Sequence, residues 1–213
     1  MSIEYKFIAI EGNIGAGKTT LAKFLASRLN GSLLLEEFED NQFLKEFYSG
    51  KGFAIHAELQ FVLDRSKQLA DFFDAEHKLI FSDYVPQKSL VFSEINLKAK
   101  EFETVQSLTN ELYKPFAQPD LVIYIDRDID ALIENIYKRG RTFEQQIDEQ
   151  YIHAIMKGYN KWLKQLNQPV LRIKAQEIDM KKPTELEAAF RLAFSRRYSK
   201  NQLSLNLNEL MKE

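Results

Sequence analysis

Short apolar runs alternate with longer amphipathic stretches along this chain, and that rhythm dictates most of the expected architecture. Five runs read as strands: Tyr5–Glu11, Ser32–Glu36, Lys78–Asp83, Leu121–Asp126 and Val170–Lys174. They are apolar nearly throughout rather than at alternate positions, as strands covered on both faces must be. Between them, apolar positions recur at helical spacing. Lys18–Leu29 is one such segment, stopped by Asn30-Gly31. His56–Phe73 carries Leu59, Val62, Leu63, Leu69 and Phe73 toward one face, and Lys98–Tyr113 repeats the pattern before Pro115. Asp128–Tyr137, Asp148–Leu166 and Pro183–Phe194 complete the set. The expected fold class is therefore α/β, a five-stranded parallel sheet with helices on both faces. No internal repeat, low-complexity tract or linker interrupts residues 1–213, which fits a single domain with a C-terminal tail over 195–213. The tail is basic, then rich in Asn and Leu, and is expected to form a short helix or a partner contact.

Composition narrows the possible partners. A formal net charge of −2 argues against a nucleic-acid polymer, since such binders carry a basic surplus. The absence of Cys fits a reducing cytoplasm. No apolar stretch is long enough to span a membrane, and the N-terminus lacks the pattern of a signal peptide.

The first apolar run leads directly into Gly12-Asn13-Ile14-Gly15-Ala16-Gly17-Lys18-Thr19, followed by Thr20. This is the G-x-x-x-x-G-K-[ST] spacing, placed between a strand and a helix as its mechanism requires. Small residues let successive N–H groups surround phosphates, and the helix behind them adds the positive end of its dipole. Lys18 is expected to reach the β- and γ-phosphates of a nucleoside triphosphate, and Thr19 to ligate Mg²⁺ carried by the nucleotide.

Three clusters fall where phosphoryl transfer needs them. Glu36 ends the second strand, at the crevice side of such a sheet, where a carboxylate can meet a substrate hydroxyl; Glu37 is the weaker candidate beside it. The alternative for both is an acidic loop continued by Glu39 and Asp40. Asp83 ends the third run, a place for a carboxylate of the Mg²⁺ shell or a simple strand-end cap. Arg139 and Arg141 flank Gly140, with Glu144 following, a composition suited to a lid that folds over phosphates. On the helix His56–Phe73, Glu58 and Arg65 lie seven apart with Phe61 between them on the same side, an arrangement that could read and stack a nucleobase. His56, His77 and His153 show no metal-ligand spacing.

Together these segments resemble the deoxynucleoside kinase family from about Ile8 to about Phe194. IEGNIGAGKTT is similar to that family's phosphate loop, and LEEFEDNQFLKEFY (35–48) to the segment that begins with its catalytic glutamate. HAELQFVLDRSKQL is similar to its base-binding helix, and KRGRTFE to its lid. The resemblance implies Glu36 as general base, and Lys18, Arg139 and Arg141 as the catalytic cations. Tyr48 and Glu144 would bind the sugar 3′-hydroxyl, and Glu58 and Arg65 the base. It also implies transfer of the ATP γ-phosphate to a deoxynucleoside 5′-hydroxyl in nucleotide salvage, a mild preference for purines, and a homodimer. Two positions depart from the family text. Glu58 stands where many members carry Gln, and Asp83-Tyr84-Val85 where an acidic residue is usually followed by Arg-Ser, which leaves Lys88 or a lid arginine to supply the missing charge.

Two other functions fit the phosphate loop. A nucleotide kinase of the thymidylate kinase type would need extra basic residues for its anionic acceptor, and the helix offering Glu58, Asp64, Arg65 and Lys67 is not such a set. A nucleotide-dependent switch of the GTP-binding kind would carry Asn-Lys-x-Asp, which the chain lacks.

Overall fold

The computed structural model describes residues 2–37 and 41–212. Glu39 and Asp40 of the acidic loop lie outside the described residues. Six strands are present among the described residues: β1 (Phe7–Gly12), β2 (Ser32–Leu34), β3 (Ile80–Ser82), β4 (Leu121–Asp126), β5 (Val170–Lys174) and β6 (Gln202–Ser204). The helices are α1 (Lys18–Leu29), α2 (Leu44–Tyr48), α3 (Ala54–Phe73), α4 (Ser89–Asn96), α5 (Ala99–Tyr113), α6 (Ile129–Arg139), α7 (Glu149–Leu163), α8 (Pro183–Phe194) and α9 (Leu207–Leu210).

All strand pairings are parallel, in the order β2-β3-β1-β4-β5-β6. The chain fills β2 and β3 on one side of β1 and then crosses to β4 on the other. A crevice therefore opens beyond the carboxyl end of β1, the position where sheets of this kind take ligands. Asp120 fixes the other end of that central strand by accepting from the Lys6 and Phe7 N–H groups at 2.9 and 2.8 Å.

Alternation along β1 sorts the core into two layers. Ile8 and Ile10 pack with Leu21 and Leu25 of α1 and Phe190 and Phe194 of α8. Ala9 faces Ile155 and Tyr159 of α7 and Val91 of α4, while Phe7 faces Val62 and Leu69 of α3 and Val105 of α5.

The expected five-strand sheet is corrected to six. β6 lies in the tail and reads Gln-Leu-Ser, with no apolar run to mark it. It joins the edge through backbone pairing, Val170 opposite Gln202 and Arg172 opposite Ser204. The tail then turns back onto its own chain: Leu207 and Leu210 of α9 are buried in the core, and Leu207 N–H donates to Glu177 at 2.7 Å.

Candidate active site

The loop between β1 and α1 is built to leave donors open. Gly17 occupies the N-cap of α1 in left-handed backbone geometry, and no side chain caps the helix. Its first N–H groups have no intrahelical acceptor and are left for a ligand. Gly15 is required twice over: φ is +80°, and a Cβ there would stand 2.6 Å from the carbonyl oxygen of Leu132. Asn135 Nδ2 donates to the Gly15 carbonyl at 2.8 Å, so α6 holds the loop from outside. Asn13 is buried, and its side chain acts structurally, donating to Ile152 O at 2.9 Å and accepting from Ile14 N–H at 2.8 Å.

A cavity of about 550 Å³ opens over this loop. Its lining includes Ile14–Thr20 on one side and Glu36, Tyr48, Glu58, Phe61, Arg65 and Asp83 on the other. Arg139, Arg141 and Glu144 border the same space. Gly12 and Asn13 lie outside this lining, buried beneath it, and Glu37, the weaker of the two glutamate candidates, lies outside it and is exposed.

Lys18 curls over the loop, donating to Gly12 O at 2.9 Å and Asn13 O at 3.0 Å. Desolvation and the nearby Lys88 lower its pKa to about 8, against the attraction of Glu11, Glu36 and Asp83. The protonated form is the one that binds phosphate. Above pH 8, triphosphate binding must therefore bring a proton with it. ATP affinity is expected to hold steady below that pH and to fall up to about tenfold per pH unit above it. Calorimetric titrations across this range check the slope, which a Lys18→Met variant should lose.

Glu36 follows β2 and is clamped by two cations. Arg65 Nη2 donates to one carboxylate oxygen and Lys88 Nζ to the other. Burial alone would push the carboxyl up; Lys88 and Arg65 outweigh it and hold Glu36 well below the usual carboxylate range. Arg65 is itself fixed by Ser89 Oγ and lies over the rings of Phe61 and Tyr84, at 5.2 and 5.4 Å. Its guanidinium is thus engaged with Glu36 rather than held free for a base.

Where Asp83-Tyr84-Val85 departs from the family text, Lys88 brings a cation to Glu36. Tyr84 is buried against Arg65, and the short 3₁₀ turn Pro86–Lys88 carries the ammonium to Glu36 instead. The start of that turn is anchored by Glu11, which accepts from Val85 N–H at 2.7 Å and from Tyr159 Oη at 2.8 Å. Glu11 escaped the sequence reading because it ends an apolar run; a carboxylate there was the available signal.

Asp83 is buried at the crevice end of β3 and accepts from Thr19 Oγ1 and, at 2.7 Å, from Glu36 N–H. This pair of hard oxygen donors fits Mg²⁺. No cluster of three or more His, Cys, Asp or Glu that could hold a metal occurs among the described residues, so such an ion would complete its shell from the nucleotide and water.

Gly140, at φ +71°, ends α6 and turns the chain into Arg141 and the 3₁₀ segment Thr142–Gln146. Arg139 and Arg141 both donate to buried Glu144, the latter at 3.2 Å. Tyr48 stacks on Phe143 of this segment at 6.1 Å and meets Tyr151 edge-on at 6.3 Å. Glu58 is buried and accepts from Ser93 Oγ and Asn96 Nδ2, each at 2.8 Å. Burial pushes its carboxyl up, against the pull of Asn96, Ser93 and Arg65.

A phosphate loop facing a clamped carboxylate under an arginine segment is the layout of a two-substrate phosphotransferase, and the sequence profile of the deoxynucleoside kinases matches residues 8–191. The chain belongs to the deoxynucleoside kinase family. A deoxyguanosine kinase of Bacillus subtilis is 35% identical over 166 residues, spanning 76% of this chain and 80% of the relative. A deoxyadenosine/deoxycytidine kinase of the same organism is 27% identical, spanning 81% and 84%. Among solved structures, a deoxyadenosine kinase from M. mycoides with bound dCTP superposes with a TM-score of 0.75 at 25% identity, covering 89% of this chain and all of that one. As a deoxynucleoside kinase, the chain is an ATP-dependent phosphotransferase.

Arg127 and Asn135 also line the cavity beside the phosphate loop and were missed in the sequence. Arg127 Nε donates to Ala16 O at 3.3 Å, a contact across 111 positions that no local pattern reveals.

Proposed function

We propose that this kinase phosphorylates the 5′-hydroxyl of a purine deoxynucleoside, with Glu36 as the base and Lys18, Lys88, Arg139 and Arg141 as the cations around the moving phosphoryl group. The observation that supports this reading most is the clamp on Glu36, an ionised carboxylate sharing one cavity with the phosphate loop.

ATP would lie along Gly12–Thr20, with Lys18 turned from its loop carbonyls to the β- and γ-phosphates. Mg²⁺, held through Thr19 and Asp83, would neutralise charge on the nucleotide. The acceptor would fill the opposite half, its 5′-hydroxyl on Glu36 and its 3′-hydroxyl between Tyr48 and Glu144. Glu36 is a weak base while both cations hold it, which suits a loose transition state in which the hydroxyl proton leaves late. As Lys88 turns toward the γ-phosphate, the carboxylate would lose one partner and gain proton affinity. Arg139 and Arg141 would exchange Glu144 for phosphate oxygens as the lid closes.

A neutral acceptor is favoured because, among the described residues, Arg65 and Lys88 of the acceptor half both pair with Glu36. Purine preference draws on the deoxyguanosine and deoxyadenosine kinases among the relatives. Work in the cytoplasm as a homodimer, through the outer sides of α3 and α5 where Leu63 is exposed, belongs to the same proposal. The deciding assay offers each deoxynucleoside and its 5′-monophosphate as acceptor with Mg²⁺-ATP. Deoxynucleosides, purines foremost, should be the better acceptors; faster transfer to the monophosphates would overturn the reading.

A further inference from the structure

Glu11 is wholly buried on β1, and the transfer described above leaves its charge unused. The unequal reach of two neighbouring strands brings its side chain into play. Backbone pairing between β1 and β3 stops at Ala9 opposite Ser82, whereas β1 pairs with β4 as far as Gly12. The chain leaves the sheet at Asp83, so Val85 N–H faces no strand carbonyl. The Glu11 side chain reaches across and accepts it at 2.7 Å. Its other oxygen accepts from Tyr159 Oη at 2.8 Å. That phenol is a fixed donor, its ring buried among Tyr124 at 5.6 Å, Trp162 at 6.0 Å and Phe92 at 6.3 Å. The grip continues to the ammonium of Lys88. Val85 O accepts from Lys88 N–H at 2.9 Å, and Lys88 Nζ, 5.7 Å from the centre of the Phe92 ring, ends on Glu36. Glu11 and Lys88 also act on each other through charge. Burial pushes the Glu11 carboxyl up, and Lys88 first, then Lys18, pulls it back. A neutral acceptor could satisfy Val85 N–H without burying a charge, so the use of a carboxylate lies with the cations near it.

We propose that Glu11 is a positioning residue for Lys88: it fixes the turn that carries the ammonium to Glu36 and gives that ammonium a buried counter-charge. This rests on the kinase reading above, in which Lys88 serves the transfer. Substrate affinity should owe little to Glu11, which is sealed beneath the cavity and does not border it. Rate should owe it more, because an error of about 1 Å in placing a reacting group costs on the order of 10²-fold.

The test is a double-mutant cycle on the full-length enzyme with Glu11→Gln, Lys88→Met and the two combined. It is read in kcat, and in KM for ATP and for the deoxynucleoside used best. Glu11→Gln should lower kcat by about 10- to 100-fold and change either KM by less than about twofold. With Lys88→Met already present, the same substitution should cost less than about threefold, since side chains in one network couple by ~2- to 150-fold. A merely structural Glu11 would lower kcat by the same factor in both backgrounds, or lower stability alone. Equal losses in both backgrounds, an unchanged kcat in Glu11→Gln, or full activity in Lys88→Met overturns the proposal. If Glu11→Gln does not fold, Tyr159→Phe decides, because it removes the donor to Glu11 and keeps the packed ring. Its kcat should fall by about threefold or more, and that loss should vanish with Lys88→Met present. An equal loss in both backgrounds, or no loss, sinks the idea. Transfer to no deoxynucleoside at all removes the kinase reading itself; transfer with independent effects removes the role of Glu11 alone.

Discussion

Glu36→Gln is expected to lower kcat by roughly 10²- to 10⁴-fold, the usual worth of a positioned general base. The amide preserves shape and can still accept a hydrogen bond from Arg65 or Lys88, but it takes no proton and no longer balances two charges. Stability should fall as well, because removing one member of a buried ion cluster leaves its partners uncompensated, at a cost of about 3–5 kcal/mol in fully buried cases. Glu36 is 15% exposed at its side chain, which places the expected loss below that range. Circular dichroism and denaturation separate the two effects. A folded Glu36→Gln enzyme with undiminished kcat would end its assignment as the base.

Lys88→Met should lower kcat by roughly 10²- to 10³-fold, somewhat less than loss of a full arginine finger, because the lid arginines and Lys18 remain. A second consequence distinguishes Lys88 from a merely structural lysine. It is the strongest of the charges that hold the Glu36 carboxyl down, so its removal raises that pKa. The protonated, inactive form then persists to higher pH, and the acid limb of the kcat/KM profile, which reports the free enzyme, moves upward. Lys88→Arg, which restores the charge, should bring the limb back and recover much of the rate. An unmoved acid limb in Lys88→Met would detach Lys88 from the base.

The strands β1, β4 and β5 and most helices were legible because burial on two faces writes a continuous apolar run and burial on one writes a helical stripe. α4 was not, since Ser89–Asn96 is only eight residues long and follows a proline turn, too short for its stripe to stand out. β6 escaped because backbone pairing, not side-chain burial, holds Gln202–Ser204 in the sheet. The site divides along the same line. Spacing within one helix placed Glu58, Phe61 and Arg65 together, but it could not reveal that Arg65 reaches Glu36, 29 positions earlier. Nor could it show that Glu58 is held by Ser93 and Asn96, or that Glu11 meets Tyr159 across 148 positions. These are products of packing helices around the carboxyl ends of the strands. Motif residues could be read locally; the partners that set their charge could not.

In the proposed reaction, the phosphate loop and Glu36 serve one transfer between ATP and a deoxynucleoside. It is tested most directly by following ADP release through many turnovers with and without deoxyguanosine, and by identifying the phosphorylated product. ADP should form only when the deoxynucleoside is present, in equal amount with deoxynucleoside 5′-monophosphate. ADP release that is indifferent to the deoxynucleoside, or that yields no 5′-monophosphate, would contradict the account.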